Sequence, residues 1–227
     1  MLSENPTNLA RSERQTENSP DQLSRGILFV VSSPSGGGKG TLISRVLNGI
    51  PSLSYSVSYT TRSPRAGEVD GVDYFFVSPP RFEQLVAADE FLEWARVHGN
   101  LYGTSRAQVL KEIEEGRDII LEVDVQGAAS VRKLPADSVS IFIVPPSFEV
   151  LRQRLVARGT DSPLELELRL RNAPIELRQY RTFDYVIVND DLERASAQLA
   201  AVIYAERARR KRQEHEVQRV AETFSAR

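Results

Sequence analysis

The 227-residue chain has no cysteine, one methionine, one tryptophan and only two histidines, His98 and His215. Without thiols it cannot form disulfides or thiolate metal centres, and two imidazoles leave little material for a zinc site. It also lacks any apolar stretch near the roughly 20 residues that span a bilayer, and its N-terminus lacks the apolar core of a secretory signal. These absences predict a cytoplasmic chain with no membrane partner. Charge imbalance is missing too: 29 Lys and Arg stand against 31 Asp and Glu, a net charge of −2. No global field therefore calls for nucleic acid, and any anion must be bound locally. What is present suits a globular protein: 41% hydrophobic residues, and length for one good core with smaller insertions.

Local anion binding is written into residues 26–41, Gly-Ile-Leu-Phe-Val-Val-Ser-Ser-Pro-Ser-Gly-Gly-Gly-Lys-Gly-Thr. Residues 27–31 are continuously apolar and partly β-branched, as in a strand buried on both faces of a parallel sheet. Gly36, Gly37 and Gly38 let the backbone turn its N–H groups onto a phosphate. Lys39 adds a point charge, and the helix beginning there adds its positive dipole end. A bare Gly/Ser turn is the alternative, but the strand before it and the helix-compatible Thr41-Leu-Ile-Ser-Arg-Val-Leu after it supply the context of a P-loop for a nucleoside triphosphate. Against the pattern G-x-x-x-x-G-K-[ST], Ser33 stands at the first glycine and Gly40 where a hydroxyl would ligate magnesium. Thr41 comes one residue late.

Residues 1–24 are polar with few apolar anchors and read as a disordered extension. Beyond the first helix, at about 39–48, residues 53–76 alternate like short antiparallel strands and hairpins, broken by Pro64, Gly67 and Gly71. A helix is expected around 80–88, and another capped by Thr104 or Ser105 and ended by Gly116. Strands follow at 118–124, 138–144 and 185–189, with Ser147 capping a helix between the last two. Ser162-Pro163-Leu164-Glu165 has capping-box spacing with proline at the first helical position, so a short segment of about 158–170 reads as a mobile lid. Residues 191–222 form a long helical pattern carrying the basic run 209–212, which a solvated helix face explains better than nucleic-acid binding. That helix is equally consistent with a homo-oligomer interface and with packing on its own domain. The fold class is α/β: a parallel sheet with helices on both faces, a core of 25–52 and 105–227, and a small lobe inserted at about 53–104.

A second constellation, Ser56-Val-Ser-Tyr-Thr-Thr-Arg-Ser-Pro-Arg-Ala-Gly-Glu-Val-Asp-Gly-Val-Asp-Tyr74, combines two arginines, several hydroxyls and a tyrosine. Two guanidinium forks and a phenol suit a phosphate monoester, although a polar hairpin with surface arginines would look similar. The full string closely resembles the GMP-binding signature of guanylate kinases. Glu90-Phe-Leu-Glu-Trp-Ala, Asn100-Leu-Tyr-Gly-Thr, Asp124-Val-Gln-Gly and Val188-Asn-Asp-Asp191 resemble further family motifs, in order and over about residues 26–205.

The resemblance implies a P-loop NTPase-like fold and transfer of the ATP γ-phosphoryl group to GMP, and to dGMP, with Mg²⁺. It places ATP on Ser33, Pro34, Ser35, Gly36, Gly37, Gly38, Lys39, Gly40 and Thr41, with Asn189 near the donor base. Arg62, Arg65, Tyr74 and Tyr102 would grip the GMP phosphate. Glu93 would accept from guanine N1–H and the 2-amino group, Ser58 and Thr104 would offer hydroxyls to the O6 side, and Asp124 would orient Mg²⁺ waters or an arginine. Lys39, Arg62 and the lid arginines Arg154, Arg158 and Arg169 would carry the transferred charge. Thr104 replaces the usual serine, and Glu122 replaces a common aspartate and receives no role. A surface helix carboxylate is the plainer account of Glu93. A non-catalytic scaffold domain and a kinase for another nucleoside monophosphate are the rival functions.

Overall fold

The computed structural model describes residues 25–97, 99–133, 137–159 and 162–225. The expected disordered extension, 1–24, lies outside the described residues, as do Thr160 and Asp161 of the expected lid loop. The chain opens with β1 (Leu28–Ser32), α1 (Lys39–Leu47) and β2 (Leu53–Tyr55). Strands β3 (Tyr59–Thr60) and β4 (Phe75–Phe76) precede α2 (Pro79–Ala87), β5 (Phe91–Val97) and β6 (Asn100–Ser105). Next come α3 (Arg106–Glu114), β7 (Asp118–Glu122), α4 (Val125–Val131), β8 (Ser138–Val144), α5 (Phe148–Arg158) and α6 (Pro163–Leu177). A 3₁₀ turn (Arg178–Thr182), β9 (Tyr185–Val188), α7 (Leu192–Arg207) and α8 (Arg210–Ser225) complete the order.

Five strands pair in the order β2-β7-β1-β8-β9, all parallel, with β1 in the centre. The apolar run of β1 is continuous because both its faces are covered. Ile27, Phe29 and Val31 pack with Leu42, Ile43 and Val46 of α1 and Leu199 and Ile203 of α7. Leu28 and Val30 point the other way, onto Val109 and Ile113 of α3 and Ala128 and Val131 of α4. Truncating the fully buried Phe29 to alanine should cost about 3–5 kcal/mol. Ser105, Ser147 and Ser162 cap α3, α5 and α6 through side-chain oxygens, and Ser162 and Glu165 close the capping box reciprocally.

Three expectations need correction. Leu53–Tyr55 is not part of the lobe: β2 pairs with β7 in the main sheet, and Leu53 and Tyr55 pack against its core. Short alternating segments carry no mark of which sheet they join. The remaining lobe is a sheet ordered β4-β3-β6-β5, in which β3 and β4 run parallel, not as a hairpin, while β3-β6 and β5-β6 are antiparallel. Tyr59 of β3 stacks on Phe75 of β4 at 4.7 Å between centroids, and Phe82 of α2 plugs the lobe beside Phe91. Finally, the C-terminal helical pattern is two helices. At its break Arg207 Nε donates to Asp118 Oδ2 (2.7 Å) and Arg209 pairs with Glu206 (2.8 Å), tertiary contacts that periodicity does not register. The basic run is held in ion pairs, Arg210 with Glu214, and Lys211 and Arg212 with Asp137.

Candidate active site

In a parallel sheet the chain leaves every strand at the same edge, so ligand-binding loops gather there. The loop after β1 meets the end of β7, the lobe and α6 around a cleft of about 180 Å³. Ser33, Ser35, Gly36 and Lys39 line it from the P-loop, Ser58, Arg62, Arg65, Tyr74, Glu93 and Tyr102 from the lobe, and Asp124, Arg158 and Arg169 from the far side. These residues, spread over 137 positions of chain, were each expected at the site.

The P-loop geometry explains its glycines. Gly38 is the N-cap of α1 with φ of 88°, and a Cβ there would lie 2.3 Å from Asn189 Nδ2. That buried amide donates to the Gly37 carbonyl (3.0 Å), and Arg154 donates to the Gly37 and Asn189 carbonyls at 3.4 and 2.9 Å. Arg154 and Asn189 therefore brace the loop's backbone and are not among the residues lining the cleft. Pro34, Gly37, Gly38, Gly40, Thr41 and Thr104 are likewise outside that lining, and Thr41 is exposed on α1.

On the lobe, Arg62 makes a two-pronged ion pair with Glu68 at 2.8 and 2.9 Å, and the Arg65 backbone N–H donates to the same carboxylate at 2.7 Å. Burial pushes the Glu68 carboxyl up, but these donors outweigh it and hold the group below its ordinary value. Arg62 also lies over the rings of Tyr74 (5.4 Å) and Phe76 (5.8 Å). Burial, then the charge of Glu122, raises the Tyr74 phenol to about 12, so it stays a proton donor at neutral pH.

Glu93 lies on β5, not on a helix, and is only 7% exposed. Thr104 Oγ1–H donates to Glu93 Oε1 at 2.6 Å, so in this arrangement its proton is engaged there and not offered to a ligand. Burial raises the Glu93 carboxyl to about 7; the Thr104 bond opposes the rise and the charge of Asp124 adds to it. Asp124 caps α4 by accepting from the Gly127 N–H (2.9 Å). Gly127 gives Glu93 its space, since a Cβ there would meet Glu93 Oε2 at 2.8 Å.

Three carboxylates to which the sequence motifs assign no role also reach these groups. Glu122, ending β7, lies 3.5 Å from Lys39 Nζ and accepts from Tyr55 Oη–H at 3.3 Å. A Cβ on Gly40 would sit 3.4 Å from Glu122 Oε2, so the carboxylate faces the position whose hydroxyl is missing. Glu176 of α6 accepts from the Ser35 N–H at 3.1 Å, while Arg169 donates to Ser35 Oγ at 2.6 Å, joining the lid helix to the P-loop. Glu68 is the third, and its place inside the long string around the two arginines was the one available signal.

Comparison with known proteins agrees with this geometry. The guanylate kinase family model matches residues 25–206. The chain belongs to the guanylate kinase family. It is thus a nucleoside monophosphate kinase, a transferase that phosphorylates GMP from ATP. It is 53% identical over 185 residues to a guanylate kinase of Symbiobacterium thermophilum, covering 82% of this chain and 88% of that one. A Thermus thermophilus guanylate kinase is 51% identical over 82% of this chain and 84% of its own. Among solved structures, guanylate kinase from Anaplasma phagocytophilum superposes with a TM-score of 0.70 at 36% identity, over 82% of this chain and 88% of that one. The guanylate kinase match ends before α8, which begins at Arg210. No helix among the described residues is long and apolar enough to cross a membrane.

Proposed function

We propose that the cleft carries out ATP + GMP ⇌ ADP + GDP in the cytoplasm, with GMP in the lobe and the ATP phosphates on the P-loop. The observation that carries this assignment is the convergence of Lys39, Arg62, Arg65, Arg158 and Arg169 on one cleft that also contains the buried Glu93. A dense cationic field suits two polyanions brought together, and a single buried carboxylate suits a base with two adjacent donors. Ionised Glu93 accepts from guanine N1–H and the 2-amino group, and Ser58 lines the same cleft. Arg62, Arg65, Tyr74 and Tyr102 hold the acceptor phosphate.

An oxygen of the GMP phosphate is already anionic and attacks the γ-phosphorus without a general base. The new P–O bond forms as the β–γ bridging bond breaks, and ADP leaves with the electron pair. Lys39 and the lid arginines spread the charge during transfer, while Arg154 and Asn189 keep the P-loop backbone in shape. Glu68 holds the Arg62 fork in readiness and must share it with the arriving phosphate. Closure of α6 over the P-loop would exclude water and so suppress hydrolysis of ATP.

The donor set fits Mg²⁺. Magnesium takes one or two carboxylates and keeps phosphate and water as its other ligands, and Glu122 and Asp124 offer hard oxygens at the cleft. When bound with ATP, the ion would neutralise phosphate charge, and Glu122 would partly stand in for the hydroxyl that Gly40 lacks.

The test is ADP release by the purified chain with ATP and Mg²⁺, run in parallel with GMP, dGMP, AMP, CMP and UMP. Turnover with GMP and dGMP alone is expected. No turnover with GMP would refute the reaction, and equal rates with AMP would refute the role of Glu93.

A further inference from the structure

At the other end of the sheet lies a second cavity, of about 260 Å³, lined by Arg25, Ile27, Asp118, Arg207, Arg212 and Gln213 among others. Ile27 precedes β1 and Asp118 begins β7, so this cavity is separated from the P-loop by the length of β1, about 17 Å. Three guanidinium groups face one carboxylate here. That carboxylate is already engaged on both oxygens: Asp118 Oδ1 accepts from the Ile27 N–H and Oδ2 from Arg207 Nε, both at 2.7 Å. Asp137, the acidic partner of Arg212, is shared with Lys211. Counting Lys211 and Asp137 with the lining, four cations stand against two carboxylates, an excess of two positive charges.

Hydrogen bonding is incomplete as well. Arg212 has a side chain only 13% exposed, yet its buried Nε–H has no acceptor among the described residues. Unmet buried donors are rare and costly, so an acceptor that reached Arg212 Nε would be favoured. Among the described residues the lining has no aromatic ring on which a base would stack. We propose that this cavity binds a phosphate dianion, free or as the phosphate group of a small ester, held by Arg25, Arg207 and Arg212. Charge of −2 and tetrahedral acceptor oxygens match the excess charge and the forked donors.

The test uses the full chain with ADP and GMP present to fill the nucleotide cleft, and follows the arginine Nε–H signals by two-dimensional NMR. Orthophosphate is titrated against chloride at equal ionic strength, with ribose 5-phosphate in a parallel series to separate a free ion from an ester. A saturable movement of the Arg212 signal with either phosphate, absent with chloride, is expected. Arg25 is exposed and its side chain has no hydrogen bond or ion pair among the described residues, so Arg25→Ala should leave the fold intact while weakening phosphate binding by about tenfold. Arg212→Lys, which keeps charge but removes Nε–H, should weaken it too. An equal response to chloride, no response to either phosphate, or unchanged affinity in Arg25→Ala would overturn the proposal.

Discussion

GMP affinity should titrate with Glu93. A carboxylate accepts from both guanine donors only when ionised, yet burial raises this group to about 7 before the base arrives. The free enzyme must then lose a proton to bind, and the apparent dissociation constant scales as 1 + 10^(7−pH). From pH 8 to pH 6 that factor rises from about 1.1 to about 11, a tenfold loss of affinity toward acid. The GMP phosphate, with a second pKa of about 6, contributes only about a twofold change over the same range. Calorimetric titration of GMP at several pH values, repeated with Glu93→Gln, separates the two, because the variant keeps the phosphate contribution alone. Thr104→Val should move the wild-type transition upward by about one pH unit, since it removes the hydrogen bond that favours the ionised form. Stability must carry the opposite sign. A carboxylate raised from 4.5 to about 7 contributes stability that is fully present below pH 4.5 and is lost as pH rises through 7. The loss is about 3 kcal/mol, so Glu93→Gln should melt higher than wild type at pH 8 while binding GMP worse. A GMP affinity that stays flat from pH 6 to 8 after subtraction of the variant's profile would refute the reasoning.

Gly127→Ala places a methyl 2.8 Å from Glu93 Oε2 and should raise KM for GMP about tenfold or more, with KM for ATP unchanged; equal changes in both would mean a general loss of structure. Glu176→Gln removes a negative charge from the acceptor on the Ser35 N–H, where in the proposed complex it would compete with a phosphate oxygen. KM for ATP should fall by about two- to fivefold, and a rise would show that the carboxylate supports the bound state instead. Lys39→Ala should lower kcat by about 10²- to 10³-fold with GMP binding retained, a split visible by comparing steady-state rates with direct titration.

Much of the site was legible because the chemistry demands particular residue types at particular backbone positions. A glycine-rich turn after a doubly buried strand has few explanations besides a phosphate, and Gly38 shows why: its φ and the nearby Asn189 amide exclude a side chain. The long string around Arg62 and Arg65 was legible only through its family resemblance, since a polar hairpin with surface arginines has the same residue types. Its sheet was not, since β2 and β3 are too short for alternation to distinguish the core from the lobe.

Residues that act on other residues were the hardest to read. Arg154 looked like one more lid arginine, because three arginines on neighbouring helices have the same sequence signature whether they face a phosphate or a backbone carbonyl. Only the tertiary arrangement separates Arg158 and Arg169, at the cleft, from Arg154, on Gly37 and Asn189. Glu68, Glu122 and Glu176 follow the same logic. An electropositive site that is to release its product needs carboxylates to hold its cations in place between turnovers, and these three each meet a cation or an N–H that the proposed ligands would also claim. Their effect on affinity depends on whether a bound phosphate shares the donor or displaces the carboxylate, a competition fixed by distances of a few tenths of an ångström and hence by the fold. The ligands of the site are therefore written in residue types, but the groups that tune it are written in geometry.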